Sequence, residues 1–260
     1  MRVMTYNILT GGIDEDGTDR FEPLVTLIRQ QQPDVLALNE CNNFDRDGYR
    51  RFYAFERALG MRGMLGVASS GFHVAVFARH AEFVKHEVMS DWVQHAILRV
   101  EMRVKGEPFT AVSAHLCPFG GEIRLSEAQY LAGSTRDHEK VLVAGDLNAL
   151  SPHDVGHYEP NVWSPRRRAR HWLPGGDGLD TRAIALMEDA GLVDLTRRAG
   201  VPFTPTALTP LRASEKSPYN VRIDYLFATP SLAAGLQSVD VVRGELADVA
   251  SDHYAVVADV

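Results

Sequence analysis

The chain has 260 residues, of which 45% are hydrophobic and 23% charged, and it carries a formal net charge of −7. This composition supports a sizeable core and excludes global disorder, and the negative balance excludes a protein that grips nucleic acid mainly by positive charge. No apolar run reaches the roughly 18–20 residues that a membrane-spanning helix needs.

Composition does not shift along the chain, so a single domain over residues 1–260 is expected. Cys41 and Cys117 are the only cysteines and lack CxxC spacing, which argues against a disulfide framework or a structural zinc site. A strand starts at once with Arg2-Val3-Met4-Thr5-Tyr6 and leaves no space for a signal peptide. The expected location is the cytoplasm, and the expected state is a monomer.

The first strand covers 2–8 and closes at Asn7. Turn signals at Gly11-Gly12 and Asp16-Gly17 lead to Thr18 or Asp19, which can cap a helix to about Gln32. Phe21, Leu24, Leu27 and Ile28 form its apolar face, and Pro33 ends it. Asp34-Val35-Leu36-Ala37-Leu38 is a buried strand running into Asn39-Glu40, and a helix over 48–59 closes at Gly60. Strands are expected at 62–67, 72–79, 82–89, 94–104 and 108–115, then a helix over 121–138. The run Val141-Leu142-Val143-Ala144 builds a buried strand over 140–147 and delivers Gly145-Asp146-Leu147-Asn148. Residues 151–178 show no periodicity, and a loop of that length is usually functional or disordered. A helix over 180–190, short strands at 192–195 and 203–207, and strands at 221–228, 236–243 and 253–259 complete the reading. Consecutive strands among a few helices indicate a mixed sheet architecture with helices outside.

The polar residues gather at strand ends. Asp146 and Asn148 sit two residues apart and share a face if the strand stays extended past Gly145. A carboxylate at Glu40, after an apolar strand, costs free energy unless it emerges at a site or meets a cation. His115 ends Ala111-Val112-Ser113-Ala114. Asp224 lies inside the apolar run Ile223-Asp224-Tyr225-Leu226-Phe227 and needs a partner, for which histidine is a frequent choice. Ser251-Asp252-His253 precedes the last apolar alternation. Oxygen donors without cysteine favour Mg²⁺ or Mn²⁺ over zinc. Phosphate-ester hydrolysis needs such a cation, a base for water and a donor for developing negative charge.

Thr5-Tyr6-Asn7, the strand ending at Glu40, Ser113-Ala114-His115-Leu116, Gly145-Asp146-Leu147-Asn148, Arg222-Ile223-Asp224-Tyr225 and Ser251-Asp252-His253 together resemble the endonuclease/exonuclease/phosphatase superfamily. They appear in that family's order and span residues 5 to 253. The resemblance implies an α/β fold, a four-layer α-β-β-α sandwich of two packed mixed β-sheets, with the site at one rim. It implies Glu40 as main metal carboxylate, with Asn7 beside it and Asp252 completing or flanking the Mg²⁺ (or Mn²⁺) site. Asp146 would orient and deprotonate water, and Asn148 would hold that water or a phosphate oxygen. His253 would contact the scissile phosphate, with Asp224 orienting it, and His115 would contact phosphate or assist the leaving group.

The expected activity is a metal-dependent phosphodiesterase or nuclease whose partner is a phosphate-ester substrate, nucleic acid or nucleotide first. A phosphatase or phosphodiesterase of a small metabolite or phospholipid headgroup is the alternative, and a non-catalytic binding module that keeps the fold is a third reading. One departure weakens the first: pancreatic-type deoxyribonucleases carry a glutamate partner for their first histidine, whereas Val67-Ala68-Ser69-Ser70-Gly71-Phe72-His73 here offers no carboxylate. The expected specificity segment is 151–178, with Arg166, Arg167, Arg168, Arg170, Trp163 and Trp172 as candidate substrate contacts. Arginine binds phosphate in fork geometry and aromatic rings stack on bases. His73 is a further candidate at the rim.

Overall fold

The structure is a computed structural model, described here for residues 1–135, 139–176, 178–212 and 219–260. Among these residues twelve strands form two six-stranded sheets. The first half of the chain supplies β1 (Arg2–Asn7), α1 (Phe21–Gln31), β2 (Val35–Asn39), α2 (Arg50–Leu59), β3 (Arg62–Gly66) and β4 (Val74–Ala78). It continues with β5 (Ala81–Met89), β6 (Ala96–Val104), β7 (Glu107–His115), α3 (Gly121–Ser134) and β8 (Val141–Asp146). After these come α4 (Pro165–His171), α5 (Arg182–Asp189), β9 (Val193–Asp194), α6 (Leu195–Arg198) and β10 (Asp224–Ala228). The chain finishes with α7 (Pro230–Ala233), β11 (Ser238–Val241), α8 (Glu245–Ala250) and β12 (Val256–Asp259).

One sheet has the order β11-β12-β1-β2-β4-β3 and the other β5-β6-β7-β8-β10-β9. Both are mixed: β1 pairs with β2 and β7 with β8 in parallel, and their other pairings are antiparallel. Strand alternation divides the second sheet into two faces. Ala111, Leu142, Ala144, Leu226 and Ala228 turn into the core shared with the first sheet. Val112, Val141, Val143, Tyr225 and Phe227 turn outward onto Leu131 of α3 and Ile184 of α5. On the far side of the first sheet, Leu24, Leu27 and Ile28 of α1 and Phe52 and Phe55 of α2 bury their apolar stripes. The α-β-β-α layering expected from the sequence is therefore the observed one.

The differences are local. No strand forms over 203–207, where Pro202 and Pro205 remove backbone donors; Ala207 instead makes single bridges to Val221 and His253. The expected strand over 221–228 is regular only from Asp224. The helix begun at Gly121 runs to Ser134, and residues 136–138 of the expected span lie outside the described residues. Residues 151–178 hold α4, although Asp177 is outside the described residues. Ser164 caps α4 by accepting from the Arg167 N–H at 3.4 Å, and Pro165 occupies its first turn. Fully buried Arg124 of α3 donates to the carbonyls of Cys117, at 2.9 Å, and Arg170, so α4 is tied to the second sheet's helix layer.

Candidate active site

The parallel strand pairs deliver their carboxyl ends to one rim. Asn7 and Asn39 end β1 and β2, directly opposite each other in register. Asp146 ends β8 and lies across from Asp224 at the start of β10. The two sheets meet at Asp146. Its Oδ2 accepts from Asn7 Nδ2 at 3.1 Å, its Oδ1 accepts from Asn148 N at 2.9 Å, and its own N–H donates to Asn39 Oδ1 at 2.8 Å. His115 Nε2 lies 3.6 Å and His253 Nε2 3.8 Å from the same carboxylate.

Gly145 makes this convergence possible. A Cβ there would fall 1.9 Å from the Ala114 carbonyl oxygen and 3.1 Å from Asn39 Oδ1. No side chain fits at that distance, so glycine is required for β8 to bring Asp146 in between the two sheets. The strand does not remain extended beyond it. Asn148 adopts the left-handed region at φ 48° and anchors its Nδ2 to the Leu116 carbonyl at 3.0 Å. Asp146 and Asn148 still line the same cleft, through a turn and not through strand periodicity. Glu40 is also left-handed, at φ 56°. Non-glycine residues held in this region concentrate where surrounding structure fixes a functional group.

Glu40 sits beside Asn7, whose Nδ2 donates to Oε1 at 3.2 Å, while the Thr10 N–H donates to Oε2 at 3.0 Å. Burial, reinforced by the charge of Asp252, raises its carboxyl above the ordinary range. Asp252 Oδ1 is buried without a hydrogen-bond partner. Two adjacent carboxylates, one with an unsatisfied buried oxygen, plus a nearby amide make an oxygen-donor set suited to a hard divalent cation.

A second cluster, Asp146, Asp224 and His253, brings ligand atoms within 4.8 Å of one another. Here the Asp224 Oδ2 is already committed to His253 Nδ1 at 2.8 Å, so this trio is better suited to holding a proton than a metal. Burial opposes charge on His253, but Asp224 and then Asp146 overcome it and hold the imidazole well above its ordinary value. Burial, with Asp224 adding to it and His253 opposing it, pushes the Asp146 carboxyl up to about 7. His115 is driven the other way, well below its ordinary value, by burial and then by His95 and His253.

The surrounding cleft encloses about 350 Å³ and includes Glu40, His115, Asp146, Asn148, Asp252 and His253 in its lining. Arg166, Arg167 and Arg170 reach it from α4. Four of the residues expected at the substrate do not line it. His73 is buried, accepts from the Ala68 N–H at Nδ1 (2.9 Å) and faces Asp45 from Nε2 at 3.0 Å, so it braces the turn after Glu40. Trp163 is buried with Leu150, Tyr158, Tyr219, Val221 and Ile223 beneath α4. Arg168 stacks on Trp172, its guanidinium 5.0 Å from the ring centre, and neither contributes to the cleft.

Sequence reasoning missed His95. Its ring stacks on His115 with centroids 4.3 Å apart, packs on Phe72 at 4.9 Å, and is held through Nδ1 by Ser70 Oγ at 2.9 Å. His95 covers the face of the His115 ring, whose Nδ1 is buried without a hydrogen-bond partner, consistent with the absence of a carboxylate in residues 67–73. The β6–β7 register, which pairs Ala96 with His115, places His95 there. Asn39 was also passed over, as were Phe119 and Arg212, which line the cleft. Asparagine following a buried strand was the available signal for Asn39.

Solved structures share this architecture. An AP endonuclease from Archaeoglobus fulgidus superposes with a TM-score of 0.72 at 17% identity, covering 100% of this chain and 98% of that one. The 3′ phosphatase NExo from Neisseria, bound to a product DNA hairpin, gives 0.72 at 19% identity over 100% and 98%. D. rerio TDP2 complexed with a single-strand DNA product gives 0.70 at 18% identity over 99% and 97%. No curated protein matches the chain by sequence. At these identities the structural likenesses speak for the fold. The sequence itself matches the model of the Endonuclease/Exonuclease/phosphatase family over residues 4–253, a span that holds every polar residue gathered at the rim, and the chain belongs to that family.

Proposed function

We propose that the protein hydrolyses phosphoric esters with a Mg²⁺ or Mn²⁺ ion, and that phosphodiesters of nucleotide or nucleic-acid type are its leading substrates. The observation that carries this reading is the convergence on Asp146 of Asn7 and His253, from β1 and the segment entering β12 of one sheet, and of His115 from β7 of the other. Glu40, Asp252 and Asn7 are the residues that would hold the cation. When bound, it would neutralise charge on the phosphoryl and leaving oxygens. In this reading Asp146 orients a water molecule and accepts its proton as the new P–O bond forms. His253, aligned by Asp224, offers Nε2–H to a phosphoryl oxygen as negative charge grows there. Neutral His115 faces the same carboxylate and can donate an N–H hydrogen bond to the oxygen on which the broken P–O bond leaves its electrons, that oxygen taking its proton from solvent.

Turnover should be measured for wild type and Asp146→Ala with Mg²⁺, Mn²⁺ or a chelator. The substrates would be bis(p-nitrophenyl) phosphate, single- and double-stranded DNA, RNA, nucleotides, sugar phosphates and a phosphocholine lipid. Chelator-sensitive turnover lost in the folded variant is expected. Undiminished turnover in Asp146→Ala would remove Asp146 from the mechanism, and full activity in chelator would remove the metal. The 350 Å³ cleft and net charge of −7 support a second reading, a small phosphorylated metabolite as substrate, which the same panel tests.

A further inference from the structure

Several arginines that pack into this protein face a carboxylate. Arg20 meets Asp14 at 3.1 Å, Arg51 meets Asp19 at 2.8 Å, Arg182 meets Asp180 at 2.9 Å, and Arg222 meets both Asp154 (2.7 Å) and Asp194 (2.8 Å). The arginines over the cleft depart from that pattern. Among the described residues, no carboxylate pairs with Arg166, Arg170 or Arg212, yet all three line the cavity that contains Asp146 and His253. Arg170 is half-buried and its Nε is a buried donor with no partner. Burial pulls its guanidinium below the ordinary value; Tyr219 and Asp146 oppose the shift, and Arg166 and Arg167 add like charge to it. In a chain of net charge −7, gathering Arg166, Arg170 and Arg212 on one wall of a phosphate site, none of them salt-bridged to a described residue, is unfavourable unless an anion fills the gap.

In the reading above, the scissile phosphate is served at the strand ends by His253 and by the cation that Glu40 and Asp252 would hold. The arginines come from a separate element, α4, and from the turn at Pro210–Arg212. Phe119, 57% exposed, lines the same cleft with the Arg170 guanidinium 6.0 Å from its ring centre. An exposed ring beside a guanidinium offers a stacking surface to a planar group.

Resting on the phosphoesterase reading above, we infer that the substrate carries a second phosphate, on the same nucleotide unit as the scissile one, and that Arg166, Arg170 and Arg212 bind it. The shared chemistry is a nucleotide bearing two phosphate groups, whether free or at the end of a single strand. Two charge-assisted contacts to that phosphate should give about a tenfold or greater preference for it.

Binding of thymidine 3′,5′-bisphosphate and of thymidine 5′-monophosphate is compared by calorimetry in chelator, for wild type and for Arg166→Gln/Arg170→Gln. The bisphosphate should bind at least about tenfold more tightly to wild type, and the double variant should reduce that ratio to about twofold or less. The ratio is the readout, because any loss common to both ligands cancels. Short oligonucleotides with and without a terminal phosphate form a second arm. A preference in that arm assigns the second phosphate to a strand end, and a preference confined to the mononucleotides assigns it to a free nucleotide. Equal affinities with and without the second phosphate in both arms would overturn the inference, as would a preference that survives in the variant. A preference accompanied by no metal-dependent turnover would sink the hydrolase reading and leave the anion site standing.

Discussion

His171 offers a test of the roof that α4 places over the cleft. The imidazole is 1% exposed, its Nε2 is hydrogen-bonded to the Tyr219 hydroxyl, and the rings of Trp163 and Tyr219 pack around it. Burial, with Arg124 of α3 and Arg170 of its own helix adding repulsion against a smaller pull from Asp180, lowers it from 6.5 to about 3. A folded-state pKa below the unfolded one means the unfolded chain binds the proton more readily. The stabilisation is therefore complete above pH 6.5 and is lost as pH falls towards 3. At pH 5, 1.5 units below the unfolded value, the loss is about 2 kcal/mol at 1.36 kcal/mol per unit. His95, lowered to about 4 by burial, adds in the same direction, while the raised carboxyls of Asp146 and Glu40 oppose it. Wild type alone therefore reports a sum, and the comparison must be differential. Urea unfolding of wild type and His171→Phe at pH 7 and pH 5 isolates the residue. The variant loses the Tyr219 hydrogen bond at both pH values, a constant offset. Its stability should fall by about 2 kcal/mol less than that of wild type on acidification. Equal losses in the two proteins would mean that His171 is solvated, and that α4 does not close over the cleft as described.

Further outcomes follow from the site and from the fold around it. Asp224→Asn should keep the fold but lower kcat on bis(p-nitrophenyl) phosphate by about 10²–10⁴, the range seen when an orienting carboxylate is neutralised. The His253 imidazole should then titrate lower by NMR, and an unmoved resonance would deny Asp224 its positioning role. Gly145→Ala should cost about 2–4 kcal/mol and abolish turnover, since its Cβ meets the Ala114 carbonyl at 1.9 Å. Gly17→Ala, with nothing within 4 Å at φ +86°, should cost only about 1 kcal/mol of backbone strain in thermal unfolding. Arg222→Met should destabilise by about 3–5 kcal/mol by stranding buried Asp154 and Asp194, and adding Asp154→Asn and Asp194→Asn should recover much of the loss in urea titrations.

The rim was readable because its residues punctuate apolar runs. Asn7, Glu40, His115, Asp146 and Asp224 each interrupt or end a buried strand, where a polar side chain is costly without a purpose. His95 was not readable in this way. It precedes a strand like any boundary residue, and only the antiparallel register of β6 on β7 carries it to His115. That register is set by the turn at Lys105-Gly106, at the far end of the hairpin, so no mark of it lies beside His95 itself. The short α4 has almost no apolar face to signal a helix, although Ser164-Pro165 was a legible start. Trp163 and Trp172 were attractive as stacking residues by type alone, but composition does not reveal that one supports the roof from beneath and the other covers Arg168 outside the cleft.

Sheet topology gives the site a property that no single residue has. Strands β5 to β10 come from one continuous stretch and make one sheet, while the flanking segments make the other. Asn7 and Glu40 belong to the flanks, and His115, Asp146 and Asp224 belong to the stretch between. Neither sheet alone contains a working set, so the chemistry exists only while the two are docked face to face. Recovery of turnover during refolding is then a clock for that docking: it should lag the return of strand signal in circular dichroism and coincide with burial of the core between the sheets.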